Sequence, residues 1–105
     1  MKLWIDDVRF PPASDYKWVK SVNDAKDSIR VNELHNHAGF ITDPIELIDI
    51  DHDAGAYASD GGDYIKLLDW LEETGRNYPI HIHSMNPVGV ENMRRIIRKN
   101  GWKEI

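Results

Sequence analysis

Apolar residues in this chain come in short runs parted by polar stretches, and the period within the runs switches between strand-like and helical. Leu3-Trp4-Ile5 runs straight into Asp6-Asp7, which predicts a short buried strand over residues 3–6. Val8 to Asp15 contains Pro11-Pro12; two missing amide donors and extended neighbours make it a connection. Tyr16-Lys17-Trp18-Val19-Lys20 suits a second strand, at an edge where its lysines stay solvated. Ser21 with Asp24 three residues on reads as a helix cap, and Val22, Ala25 and Ile29 continue a helix to about Leu34, with Gly39 as its outer limit.

Phe40 to Pro44 is expected to be a loop and Ile45-Glu46-Leu47-Ile48-Asp49-Ile50 a third strand. A small, polar loop over residues 54–59 precedes Asp60-Gly61-Gly62-Asp63, a second capping pattern. Tyr64, Leu67, Leu68 and Leu71 then recur at i, i+3, i+4 and i+7, the stripe of a helix that Gly75 ends. Residues 78–83 predict a fourth strand. Asn86-Pro87 starts a last helix with Val90, Met93, Ile96 and Ile97 facing inward and Asn100-Gly101 stopping it. Trp102 to Ile105 would be a fifth, terminal strand.

This alternation predicts one α/β domain with a mostly parallel sheet and helices packed on its faces. Only the step between the first two strands is ambiguous. A parallel return without a helix is feasible yet short for a crossover, and an antiparallel second strand is the alternative. In parallel sheets ligands bind beyond the carboxyl ends of the strands. Asp6-Asp7, Asp51-His52-Asp53 and His83-Ser84-Met85-Asn86 all fall at such ends.

Composition narrows the class. A chain of 105 residues holds one core. With 41% hydrophobic and 30% charged residues it is ordinary for a globular protein. A net charge of −5 argues against binding extended duplex nucleic acid, leaving a single nucleotide or an RNA end as possible ligands. With no cysteine there are no disulfides or thiolate metal sites. The first residues meet acid too early for a signal peptide, and no apolar run approaches the roughly 20 residues of a membrane span, so a cytoplasmic protein without membrane contact is expected.

The acids and imidazoles carry the candidate chemistry. Three carboxylates and a histidine in Asp49 to Asp53 are costly to crowd unless a cation, a proton or a phosphate shares the site. Asp6-Asp7 reads either as turn residues or as part of that site. Asp51 and Asp53, alternate residues on an extended chain, would face one side and form a hard-cation site for Mg²⁺ or Mn²⁺. His83, near its strand end and followed by Ser84, is the candidate general acid or base, whereas His81 reads as a core imidazole satisfied by a neighbour. His52, between two acids, is either a proton donor to a leaving oxygen or a loop histidine. Asn86 is either a plain cap or part of an anion site at a helix start, and Arg9 either pairs with Asp7 or clamps a phosphate. The tandem His-x-Thr/Ser pattern of two-histidine phosphoesterases is not met.

A strand ending in Asp-Asp, an acid ending the third strand and a hydroxyl ending the fourth resemble the receiver domain of two-component signalling. That resemblance implies a flavodoxin-like, three-layer sheet of order 2-1-3-4-5, with Asp6 and Asp7 as metal acids, Asp51 as the phosphoryl acceptor and Ser84 as the hydroxyl. The first and last helices of a receiver are missing here, as is the lysine normally found after the fifth strand. Leu-Trp-Ile-Asp-Asp-Val-Arg with a following Pro-Pro, Asp-His-Asp-Ala-Gly and His-Ser-Met-Asn-Pro-Val-Gly look closer to cyclic-phosphate-processing receiver domains. This implies hydrolysis of cyclic phosphates on RNA ends or nucleotides. In the resulting expectation Asp6, Asp7, Asp51 and Asp53 hold metal, and Asp51 does not carry a lasting phosphoryl group. His83 and His52 move protons, and Ser84, Asn86 and Arg9 meet the phosphate. The alternative is a non-catalytic receiver-like module that binds a partner or a phosphorylated ligand.

Overall fold

Along three of the strands, Leu3, Ile5, Ile48, Ile50 and Ile80 alternate with aromatic or polar residues, so one face of any sheet they form must be dry and the other mixed. The computed structural model, which describes residues 1–39 and 43–105, realises that pattern. Its elements are β1 (Lys2–Ile5), β2 (Tyr16–Val19), α1 (Val22–His37), β3 (Leu47–Ile50), a 3₁₀ turn (Gly55–Ser59), α2 (Ile65–Glu73), β4 (Ile80–Ile82) and α3 (Pro87–Asn100). The four strands lie in the order β2-β1-β3-β4 and every pair is parallel. Of the connection expected over residues 40–44, Phe40, Ile41 and Thr42 lie outside the described residues.

The second strand is therefore parallel, and the helix-less crossover is made by residues 6–15. Asp6 starts it: its Oδ1 accepts from the amides of Val8 and Arg9 at 3.0 and 2.9 Å, a turn its short side chain closes on its own backbone. Trp4 Nε1 then donates to the carbonyl of Arg9, and Trp18 Nε1 to that of Asp6, both at 2.8 Å. Two indoles thus hold the loop where a helix would otherwise lie.

Each of the three helices contributes buried apolar residues to one cluster with Leu3, Ile5, Ile48, Ile50 and Ile80, while Trp4, itself buried, is outside that cluster. Chirality explains this. The crossovers β2-α1-β3 and β3-α2-β4 run the same way along the sheet, and right-handed connections put both helices on one face. Among the described residues the helices therefore cover one face of the sheet, where three layers were expected. The terminal segment adds one bridge, Ile80 to Glu104, in place of a full fifth strand.

The caps divide. Ser21 caps α1, accepting from the Asp24 amide, and Asn86 caps α3, accepting from the Gly89 amide, each at 3.0 Å. The acids read as a cap for α2 have other partners. Asp60 accepts from Ser21 Oγ and Asn23 Nδ2, and Asp63 accepts from the Ala54 amide. Gly61 and Gly62 between them take φ of +111° and +92°, a turn open to glycine that swings both acids back toward α1 and the 3₁₀ turn.

The one-sided core makes a stability prediction. Ile48→Ala, on the helix-covered face, is expected to cost about 2–5 kcal/mol. Leu47→Ala, its neighbour on the open face, should cost under about 1 kcal/mol. Urea denaturation of the two variants compares them directly; equal losses would contradict the two-layer core.

Candidate functional site

Parallel register sets Trp4, Asp49 and His81 side by side on the open face. An acid in the middle of β3 is dry there, about 4% exposed, and needs donors. It has three. Its Oδ1 faces His81 Nδ1 at 2.8 Å and His83 Nδ1 at 2.7 Å, and its Oδ2 accepts from the Tyr16 hydroxyl at 3.4 Å. The other ring nitrogen of His83, Nε2, lies 2.8 Å from Asp6 Oδ2, and Asp6 is fully buried. His83 stacks on Trp4 with ring centroids 3.8 Å apart and planes within 2°.

Carboxylates only accept, so a ring held between two of them donates from both nitrogens and is an imidazolium. The charges respond accordingly. Burial alone would lower the His83 pKa, but Asp49 and Asp6 outweigh it and hold it above the usual histidine value. Burial would raise Asp49, yet bonds from His83 and His81 bring it below the usual carboxylate range. Asp6 likewise sits low, burial being overcome by the Arg9 and Val8 amides and by His83.

Asp51 is buried at the end of β3, its amide bonded to the Ile5 carbonyl and its Oδ1 accepting from the His52 amide at 2.8 Å. Asp6, Asp51 and His83 each place a ligand atom within 4.8 Å of the others; Asp49, His81 and His83 form a second such group. Asp7 flanks the first. Burial first, then the nearby charges of Asp6 and Asp51, pushes its pKa up. Crowded carboxylates of this kind hold protons they would otherwise lose, or share a cation. Asp6 and Asp51, with Asp7 flanking them, are hard oxygen donors of the type that Mg²⁺ or Mn²⁺ takes.

Asp53 does not join them. The chain bends at His52, so the two-residue alternation that would align Asp53 with Asp51 stops there. Asp53 is exposed and its Oδ1 lies 2.8 Å from His52 Nδ1, while its Oδ2 accepts from Asn86 Nδ2 at 3.5 Å. The His52 ring is wedged against α3: a Cβ on Gly89 would sit 2.4 Å from its Cγ. Its Nε2 has no hydrogen-bond partner among the described residues. Gly55, at φ +55°, similarly lets the chain pass close over Asp7, whose Oδ2 a Cβ there would meet at 2.4 Å.

The remaining candidates are all at this end of the sheet. Ser84 Oγ accepts from the Asn86 amide at 3.1 Å. Arg9 approaches Asp6, Nε to Oδ2 at 3.9 Å, and donates from Nη1 to the His83 carbonyl at 3.2 Å, so its partner is Asp6 where Asp7 was an option. His81 has the neighbour expected of it, Asp49, although its side chain is 42% exposed on the helix-free face. Asp49 and Trp4 were missed as functional residues. The signal was present: an acid flanked by isoleucines in a buried strand, in phase with Asp51, demands a buried partner.

The family profile described as Cyclic-phosphate processing Receiver domain matches residues 1–99. No curated protein and no solved structure matches the chain. Among the described residues no helix is long and apolar enough to cross a membrane.

Two outcomes are expected in the metal-free protein. The raised His83 pKa means its contribution to stability is complete below the unfolded-state value and is lost as pH rises through the folded one. The lowered Asp49 and Asp6 contributions are present above the unfolded carboxylate value and are lost as pH falls through the folded ones. The bridge therefore stabilises most between these ranges. Asp49→Asn should lower the His83 titration midpoint, followed by NMR, and cost about 3–5 kcal/mol near neutral pH. Secondly, Gly89→Ala should displace the His52 ring, seen as changed His52 shifts with α3 intact.

Proposed function

The chain belongs to the family of cyclic-phosphate processing receiver domains, and from that premise we propose that it is a metal-assisted phosphoesterase that opens a cyclic phosphate on a nucleotide or RNA end. The observation carrying this reading is a carboxylate-oriented imidazole, Asp53–His52, beside the carboxylates Asp6, Asp7 and Asp51 at the carboxyl ends of parallel strands. Asp6, Asp7 and Asp51 would hold the divalent ion, Mg²⁺ or Mn²⁺. When bound, that ion supplies Lewis-acid polarisation of a phosphate oxygen and neutralises charge.

The chain's own groups have distinct roles in this reading. Water adds to phosphorus, one ester P–O bond of the ring breaks, and the proton that water loses is matched by one gained by the departing sugar oxygen. His52 is suited to carry that proton: Asp53 fixes its Nδ1 side and leaves Nε2 toward solvent or substrate. His83 has both nitrogens engaged, so it acts as a positioning residue. Its charge offsets Asp6 and Asp49 and holds Asp6 still. Asn86 and the opening amides of α3, with Ser84 and Arg9, are suited to the phosphate oxygens.

Incubation with a nucleoside 2′,3′-cyclic monophosphate and Mg²⁺ or Mn²⁺ tests the proposal. Ring opening to a monophosphate is expected, with EDTA abolishing it. His52→Gln should lower kcat by about 10²–10⁴-fold with little effect on KM. No turnover with either metal, together with stable labelling of Asp51 by acetyl phosphate, would instead favour the non-catalytic receiver-like module.

A further inference from the structure

A concavity beside β2 has no part in the chemistry above. It is a groove of about 490 Å³ at the carboxyl end of β2, walled by Lys17, Trp18 and Lys20, by Asp24 and Asp27 of α1 and by Tyr57 of the 3₁₀ turn. Its walls are tied to the site on both sides. Trp18 Nε1 holds the Asp6 carbonyl, and the Asp6 amide reaches the Val19 carbonyl at 3.4 Å. Tyr57 follows the Asp51–Gly55 segment, where Gly55 lies against Asp7.

The Lys20 ammonium stands 4.5 Å from the Trp18 ring centroid and 5.9 Å from that of Tyr57. It forms no ion pair among the described residues, although acids dominate this end of the protein. Tyr57 is 39% exposed. Two aromatic rings sharing one unpaired cation present π-faces for a flat ring and a charge for a phosphate. Because the chain carries a net charge of −5, a phosphate ligand gains nothing from the overall field and must be recognised by such local contacts.

We propose that this groove is the base subsite of the phosphoesterase. The substrate class is then a nucleotide, alone or as the terminal residue of an RNA. Its base stacks on Tyr57 and Trp18, Lys20 meets its phosphate, and the scissile ring reaches the acid cluster. The Asp24 carboxylate on the groove wall accepts from an amino group on the base edge. This rests on the phosphoesterase reading for its substrate but makes a claim of its own about binding.

The test compares binding of a nucleoside 2′,3′-cyclic monophosphate, a short oligoribonucleotide with the same terminus, and methyl riboside 2′,3′-cyclic phosphate, which has no base. Ca²⁺ replaces Mg²⁺ during the titrations. The nucleoside ligand should bind roughly tenfold or more tightly than the base-free one, the scale of a single base stack. Tyr57→Ala should remove that advantage without altering base-free binding, and Lys20→Gln should weaken both. In turnover with Mg²⁺ or Mn²⁺, Tyr57→Ala should raise KM and leave kcat unchanged. Equal affinity with and without the base, or indifference to Tyr57→Ala, overturns the subsite even where turnover upholds the phosphoesterase. Base-selective binding without turnover upholds the subsite and rejects the enzyme. An oligoribonucleotide that binds no more tightly than the mononucleotide identifies the free nucleotide as the ligand.

Discussion

An imidazolium between two buried carboxylates, Asp49–His83–Asp6, is the constraint on which the site depends. Either acid alone in that position would be an uncompensated buried charge, and His83 alone would lose its proton to burial. Together they are stable, and their joint geometry links three strands: Asp6 follows β1, Asp49 lies within β3 and His83 follows β4. Trp4 stacks flat on the ring. Asp6 is thereby fixed before any ligand arrives, and its oxygens, already bonded to two loop amides, hold the 6–15 connection as well. One charged triad sets both the strand ends and the loop that replaces a helix.

The same arrangement explains why a two-layer sheet is tolerated. A bare sheet face would expose the apolar residues that strand propensity favours. Here that face carries Lys2, Tyr16, Trp18, Asp49 and His81, which pair with one another or with the loop. Tyr16 packs edge-on to Trp4 at 5.7 Å and Phe10 edge-on to Trp18 at 5.1 Å. The face is amphipathic enough to remain partly wet. On this face the His81 side chain is 42% exposed, whereas that of His83 is only 9% exposed.

Two imidazoles that look equivalent in the chain have diverged by environment. His83 is sandwiched, doubly bonded and charged, a fixed counter-ion; His52 is held at one nitrogen by Asp53, packed on Gly89, and open at the other. Protonation change at His83 would break two buried ion pairs, whereas His52 has a single carboxylate partner. The acids divide likewise: Asp49 is bonded to both His81 and His83, Asp53 lies exposed against His52, and Asp6 and Asp51 come together beside His83.

Read alone, the chain determined most of the architecture. Periodicity placed the three helices and the first four of five expected strands, because each must bury an apolar stripe whose spacing is local. It also marked the three strand ends as one site, since parallel connectivity brings carboxyl ends to a common edge. The layer count and the direction of β2 were decided only in three dimensions, by crossover handedness and by the two indole bonds to the loop. Individual roles were equally hidden. The bend at His52 separates Asp53 from Asp51, the two glycines turn Asp60 and Asp63 away from α2, and register brings Asp49 to His83. Each of these is a contact between residues distant in sequence or a break in local alternation, and local spacing carries no information about either.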